Sequence, residues 1–286
     1  MSFPWLTTIG VVPLVGALVI MLLPKASTEL AKRLAVVFSA IPLILVIAMA
    51  LQFDADSTAE FQFVESHSWI RTFGISYSVG VDGISLVLIA LSVILVPLVI
   101  LAAWNDADDA MGSVKGYFAL LLILETFMVG VFAATDVFLF YVFFEAMLIP
   151  VYFLIGRYGG PGRQYAAVKF LLYSLVGGLL MLAALIGLYV VSAQELGTGT
   201  FDFTTLTNLN IDPGTQKLLF LGFFIAFAIK APLVPFHTWL PDAAAASTPG
   251  TAVLLVGVLD KVGTFGMIQL CLPIFPAASE FSAPAI

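Results

Sequence analysis

The sequence predicts an all-α polytopic membrane protein of about eight transmembrane helices, the last five forming a transporter-type repeat whose seventh helix is broken. Three observations predict it. Hydrophobic residues make up 61% of the 286 and charged residues only 10%, with a mean hydropathy of +1.11. That leaves too few polar side chains to cover the surface of a water-soluble globule. The apolar residues fall in continuous runs able to cross about 30 Å of hydrocarbon, not in the alternating pattern of barrel strands. And Lys230 stands inside one of these runs, followed at once by Pro232 and Pro235.

In chain order the runs cover 5–23, 34–51, 84–103, 117–135, 137–156, 170–192, 218–240 and 253–272. The first has no basic residue before it and leads into further spans, so it reads as a retained helix and not as a cleaved leader. Two connections are long. In 53–82 the alternation of Ile75, Ser76, Tyr77, Ser78 and Val79 predicts a short extramembrane hairpin. The Thr-, Gly- and Asn-rich 193–216 reads as an ordinary surface connection. The turn Gly159-Gly160-Pro161-Gly162 joins two helices; no strand precedes it and no Lys-Ser/Thr pair follows, as a phosphate loop would need. The sixth span carries Gly177, Gly178, Ala183, Ala184 and Gly187 without a charge, the composition of a helix closely packed by its neighbours.

The expected organisation is an N-terminal group of three spans with an outer loop, 1–114, a five-helix repeat, 115–272, and a tail, 273–286. Five helices are an odd number, so a second copy would follow upside down, the arithmetic of inverted-repeat transporters. The chain holds one copy and is expected to be a half-length member or a piece of a longer one. Lys25, Lys32, Arg33, Lys115, Arg157, Arg163 and Lys169 fall on one side of the spans, whereas the other side has only Arg71 and Lys217. The positive-inside rule then puts the N-terminus outside the cytoplasm. Asp106, Asp108 and Asp109 count little in that rule. A single cysteine, Cys271, excludes an intrachain disulfide and a cysteine-ligated iron–sulfur cluster.

Chemistry is concentrated in ionisable residues inside the spans: Glu125, Glu145, Lys230, Asp260 and Lys261, with His237 just past the break. A charge at mid-bilayer costs about 2.5 to 3.5 kcal/mol on insertion scales and marks ion pathways. Glu145 lies nine residues after Asp136 and twelve before Arg157, near the midplane of its helix. At about 7 Å and an effective dielectric near 20, a carboxylate and an ammonium attract by roughly 2.4 kcal/mol, so Glu145 is expected to hold Lys230. Pro232 and Pro235 leave the carbonyls of Ala228 and Ala231 without their helical donors, and Lys230 is expected to face a hydrated cavity. Gly257 and Thr264 flank Lys261 on its own helix face, leaving room for water. Adjacent helical side chains diverge by about 100°, so Asp260 need not pair with Lys261. His237 reads as a relay group or a packing histidine, Glu125 as a functional acid or a hydrogen bond to a neighbouring helix, and His67 as a surface residue.

The stretches Gly80-Val81-Asp82-Gly83-Ile84-Ser85, Phe143 to Pro150, Tyr165 to Phe170, Lys230 to Asp242 and Lys261 to Gly266 together resemble the antiporter-like chain 4, or subunit M, family of NADH-quinone oxidoreductase, respiratory complex I. The resemblance implies that Glu145 and Lys230 match the family's charge pair, Lys261 its central proton-carrying lysine and Glu125 a frequent acid of the fourth helix. It implies a bacterial inner-membrane complex in which this chain lies in the bilayer beside other membrane subunits, further antiporter-like ones among them. FMN, iron–sulfur clusters and quinone would be carried by partner subunits, with no cofactor on this chain and no nucleic acid. Ala243 to Ser247 departs from the family, where a second His and a Glu are frequent, as does Asp260, where an apolar residue is common. Rival readings are a subunit of a multisubunit sodium/proton antiporter and a non-transporting membrane scaffold.

Overall fold

The computed structural model describes residues 3–24, 26–105 and 113–283; Lys25 and the acids Asp106, Asp108 and Asp109 lie outside them. Among the described residues seven helical stretches are long and apolar enough to cross a membrane. In order the elements are α1 (Trp5–Leu22), α2 (Thr28–Ala50), β1 (Gln62–Ile70), β2 (Ile75–Val81), α3 (Gly83–Ala102), α4 (Val114–Ala133), α5 (Val137–Ala146), α6 (Leu148–Tyr158), α7 (Arg163–Leu196), α8 (Phe203–Thr207), α9 (Pro213–Lys230) and α10 (Trp239–Ala246). Then come α11 (Pro249–Ile274), which carries π-helical turns at Leu255–Leu259 and Met267–Cys271, and α12 (Pro276–Ser282). The all-helical membrane reading holds. Two of the runs are not single unbroken helices: 137–156 is interrupted at Met147, between α5 and α6, and in 218–240 α9 stops at Lys230 as the two prolines dictate.

α4 lies at the centre, its buried residues running nearly without interruption from Tyr117 to Ala133, with α1, α2, α3, α5 and α6 packed around it. α7 lies against α6, α9 and α10. Its 34 residues would span about 51 Å at 1.5 Å per residue, more than the hydrocarbon, so it tilts or projects into the interface.

One end of the bundle is tied by the hairpin expected within 53–82. β1 and β2 pair antiparallel, with an irregularity between Gln62 and Glu65 where Phe63 takes a positive φ of 54°, the mark of a bulge that re-aims a side chain. Glu65 is thereby directed at the start of α1: its carboxylate accepts from Leu6 N at 2.7 Å, from Thr7 N and from the Thr7 hydroxyl. At the other end of α1, Lys115 donates to the carbonyls of Met21 and Leu23. Gly74 makes the strand turn at φ 66°, where a Cβ would also meet the carbonyl oxygen of Gly199 at 2.9 Å.

The stretch 193–216 is not an ordinary surface connection. Val137 N donates to Phe201 O at 2.8 Å, Phe203 N donates to Thr135 O at 3.1 Å, and Phe201, Phe203 and Leu206 are buried. Backbone pairing holds it onto the α4–α5 corner. Within the expected tail, 276–282 forms a short helix against α9.

Asp136 fixes that corner. Its buried carboxylate accepts from Ser76 N at 3.0 Å, Phe138 N at 2.9 Å and Leu139 N at 3.0 Å, joining hairpin to helix start. Burial pushes its carboxyl up to about 6, with the three N–H donors pulling the other way. A proton held more tightly when folded contributes stability that is complete below about pH 4 and is lost as pH rises through the folded value. Asp136→Asn is expected to flatten the stability profile between about pH 4 and 6. Asp136→Ala, which strips three N–H groups of their acceptor, should cost about 1–3 kcal/mol; thermal unfolding in detergent across pH reads both.

Candidate functional site

The centre of the molecule holds charge that nothing neutralises by hydrogen bonding. Lys230 is the last residue of α9 and only 1% exposed, and its ammonium has no hydrogen-bond partner. Three features make a cation tolerable there. The helix C-terminus presents the negative end of its dipole. The ammonium lies 4.9 Å from the Phe144 ring centroid and 5.8 Å from that of Phe170, within reach of the negative ring faces. Glu145, the residue after Phe144, interacts electrostatically with it. Two carbonyls at the break have protein donors: Leu233 N donates to Ala228 O at 2.8 Å and the Trp239 indole N–H donates to Ile229 O at 2.8 Å. Protein donors thus take the place of water at two of the carbonyls near the break. Lys230 is flanked by the rings of Phe144 and Phe170.

Glu145 is placed by a bend. Pro150 has no N–H for the carbonyl of Ala146, and the helix is interrupted at Met147 between α5 and α6. The half-buried carboxylate then leans on α7 at Gly178, where any Cβ would overlap Oε1; Oε1 has no hydrogen-bond partner. Gly178 reads in the sequence as a helix-packing residue, yet the neighbour that needs its missing side chain is the carboxylate. On the other flank Gly263 of α11 approaches the end of α9 so closely that a Cβ would lie 2.5 Å from Ala231 N. The second limb of the broken helix is fastened to α7 by Lys169 donating to Asp242 at 2.7 Å and by the Tyr173–Thr238 hydroxyl contact at 2.9 Å.

None of the remaining candidates hydrogen-bonds Lys230 Nζ or Glu145 Oε1. Glu125 in α4 is fully buried and neither oxygen has a hydrogen-bond partner, so it does not bond a neighbouring helix. Lys261 in α11 is 46% exposed and donates to both Asp260 oxygens at 2.9 Å. The divergence of adjacent side chains is overcome because the long lysine stem folds back to the nearest carboxylate. His237 and His67 are exposed. Cys271 is buried, and no group of His, Cys, Asp or Glu able to hold a metal occurs among the described residues.

The site is thus a broken helix ending on a buried lysine, with a glutamate from an interrupted neighbour interacting electrostatically with it. Residues 134–285 match the family described as NADH:quinone oxidoreductase/Mrp antiporter, transmembrane, and residues 11–131 match NADH-ubiquinone oxidoreductase chain 4, amino terminus. The chain belongs to the NADH:quinone oxidoreductase/Mrp antiporter family. It is 50% identical to NADH-quinone oxidoreductase subunit M of Mycobacterium tuberculosis, with all of this chain and 57% of that protein covered. It is 37% identical to NADH-ubiquinone oxidoreductase chain 4 of Chondrus crispus, covering 96% and 54%. The fold is similar to a chain of respiratory complex I from Thermus thermophilus, with a TM-score of 0.83 and 30% identity over 98% of this chain and 55% of that one. It also shares its fold, at 21% identity and a TM-score of 0.76, with a chain of the Mrp complex from Dietzia sp. DQ12-45-1b, covering 96% and 29%. The chain thus spans about half the length of the curated relatives it matches.

Electrostatics at this family member's centre yields a stability prediction. The Glu145 carboxylate is half-buried and makes no hydrogen bond to the buried Lys230 ammonium, so removing it is expected to cost about 1–3 kcal/mol, less than breaking a fully buried bonded pair, while replacing both groups by apolar ones is often near neutral. Glu145→Leu is expected to destabilise by that amount, and Glu145→Leu combined with Lys230→Met should recover most of it, as read from unfolding midpoints of the singles and the double.

Proposed function

We propose that this chain is the antiporter-like first half of a subunit M-type protein, and that it moves protons through the membrane arm of an NADH-quinone oxidoreductase. In this reading residues 115–272 form one transport repeat and 1–114 a supporting group of helices. The observation that carries it is the unused hydrogen-bonding capacity of Lys230 and Glu145 in a buried site. A structural ion pair would close on itself, whereas groups that must accept and release a proton keep donors and acceptors free. The high identity to subunit M supports the redox-driven assignment.

The roles follow from the chemistry of each group. Glu145 sets how firmly Lys230 keeps its charge, Lys230 exchanges a proton at the break, and Lys261 receives protons toward the outer face, where Asp260 holds its ammonium in the empty interval. Glu125 and His237 are auxiliary proton groups, one inside α4 and one past the break. Quinone reduction, with its flavin and iron–sulfur clusters, belongs to partner subunits; this chain supplies only proton-carrying side chains. Lys32, Arg33, Lys115, Arg157 and Arg163 gather at the end of the bundle opposite the hairpin, since Lys115 bonds the end of α1 and the Tyr158 hydroxyl donates to Ser113 O. By the positive-inside rule that end faces the cytoplasm of a bacterial inner membrane and the N-terminus faces out.

Membership of a multisubunit sodium/proton antiporter is the second reading, favoured by the shared fold with the Mrp complex. Purification separates the two: the redox reading predicts co-isolation of flavin and iron–sulfur subunits, the antiporter reading an intact assembly without them. In the full-length protein within its complex, Glu145→Gln, Lys230→Ala and Lys261→Ala are each expected to lower NADH-driven proton uptake into inverted vesicles by about tenfold or more. Assembly and NADH oxidation by a soluble acceptor should be unaffected. Undiminished uptake per assembled complex would reject the roles.

A further inference from the structure

α7 carries one more group aimed at the same place. Ser174 is buried at 3% exposure, and among the described residues its oxygen is the only buried hydroxyl with no hydrogen-bond partner. In apolar helices a serine or threonine ordinarily bonds the carbonyl three or four residues back. Ser39, Ser92, Thr126 and Ser192 all do so in this bundle. Ser174 does not.

Its place on the helix shows what it faces. Residues four apart share a face, so Phe170, Ser174 and Gly178 form one stripe along α7. The Phe170 ring centroid lies 5.8 Å from the Lys230 ammonium, and Gly178 receives the Glu145 carboxylate. The hydroxyl therefore shares an α7 face with both contacts, one turn from the residue that meets each group, and is hydrogen-bonded to neither the ammonium with its unused N–H donors nor the carboxylate oxygen with its unused acceptor.

We propose that Ser174 is a relay hydroxyl between Lys230 and Glu145, an inference that rests on the proton-moving role given to that pair. A hydroxyl donates one proton and accepts at its lone pairs, so it can pass a proton without keeping it. Once the three side chains close to hydrogen-bond distance, Lys230 Nζ gives one proton to Ser174 Oγ as the Ser174 O–H gives its own to Glu145 Oε1. The lysine becomes a neutral amine, the glutamate a neutral carboxylic acid, and the serine is unchanged. One N–H bond breaks, one O–H bond forms at the carboxylate, and no electron moves. The step neutralises both buried charges together, and its reverse restores them.

The test uses the full-length protein in its assembled complex, in inverted vesicles, with rates taken per assembled complex. Ser174→Ala is expected to lower NADH-driven proton uptake by about tenfold, and Ser174→Thr, which returns the hydroxyl, to restore it to within about twofold. Glu145→Gln is measured alongside. If Glu145→Gln abolishes uptake while Ser174→Ala pumps like the unaltered protein, the relay is overturned and the role of the pair stands. If Ser174→Ala and Ser174→Thr are equally impaired, the residue acts through packing and the relay is likewise overturned. If Glu145→Gln itself pumps normally, the underlying reading fails, and the relay with it.

Discussion

The arrangement of the bundle is built around one ammonium group seated where charge is costly. Lys230 ends α9, two phenylalanine rings face it and a carboxylate is kept nearby. Each support makes its own demand on the fold. The helix end needs Pro232 and Pro235 to stop the chain and Trp239 to cover the Ile229 carbonyl. The carboxylate needs the interruption before Pro150 and a glycine at 178. The close seat of α11 needs a glycine at 263. Stability alone would be better served by packed hydrocarbon at these positions.

Much of this was legible because membrane sequences are constrained by physics that acts residue by residue. Spans show as apolar runs, the break shows as a proline pair behind a lysine, and the hairpin shows in the alternation of Ile75 to Val79. Relations between distant segments were not legible. The docking of Phe201 and Phe203 onto Thr135 and Val137 uses backbone groups, which leave no mark in composition. Gly178 carries the same letter whether it seats a helix or a carboxylate. The Asp260–Lys261 pair defeats an argument from helix faces because lysine is long enough to return to its neighbour. Ser174 had a readable signal in its four-residue spacing from Phe170 and Gly178, but only the unfilled bond of its hydroxyl gives that spacing meaning.

The two ends of α1 carry a consequence for the whole assembly. Glu65 meets the amino end, where the helix dipole is positive, and Lys115 meets the carboxyl end, where it is negative. Both come from other elements, one from the hairpin and one from α4. A rod gripped at opposite tips by opposite charges can neither slip along its axis nor sink in the lipid without breaking a charged bond. Because α1 lies along α4, and α4 is the hub for its neighbours, the depth of every other helix is referenced to that gripped rod.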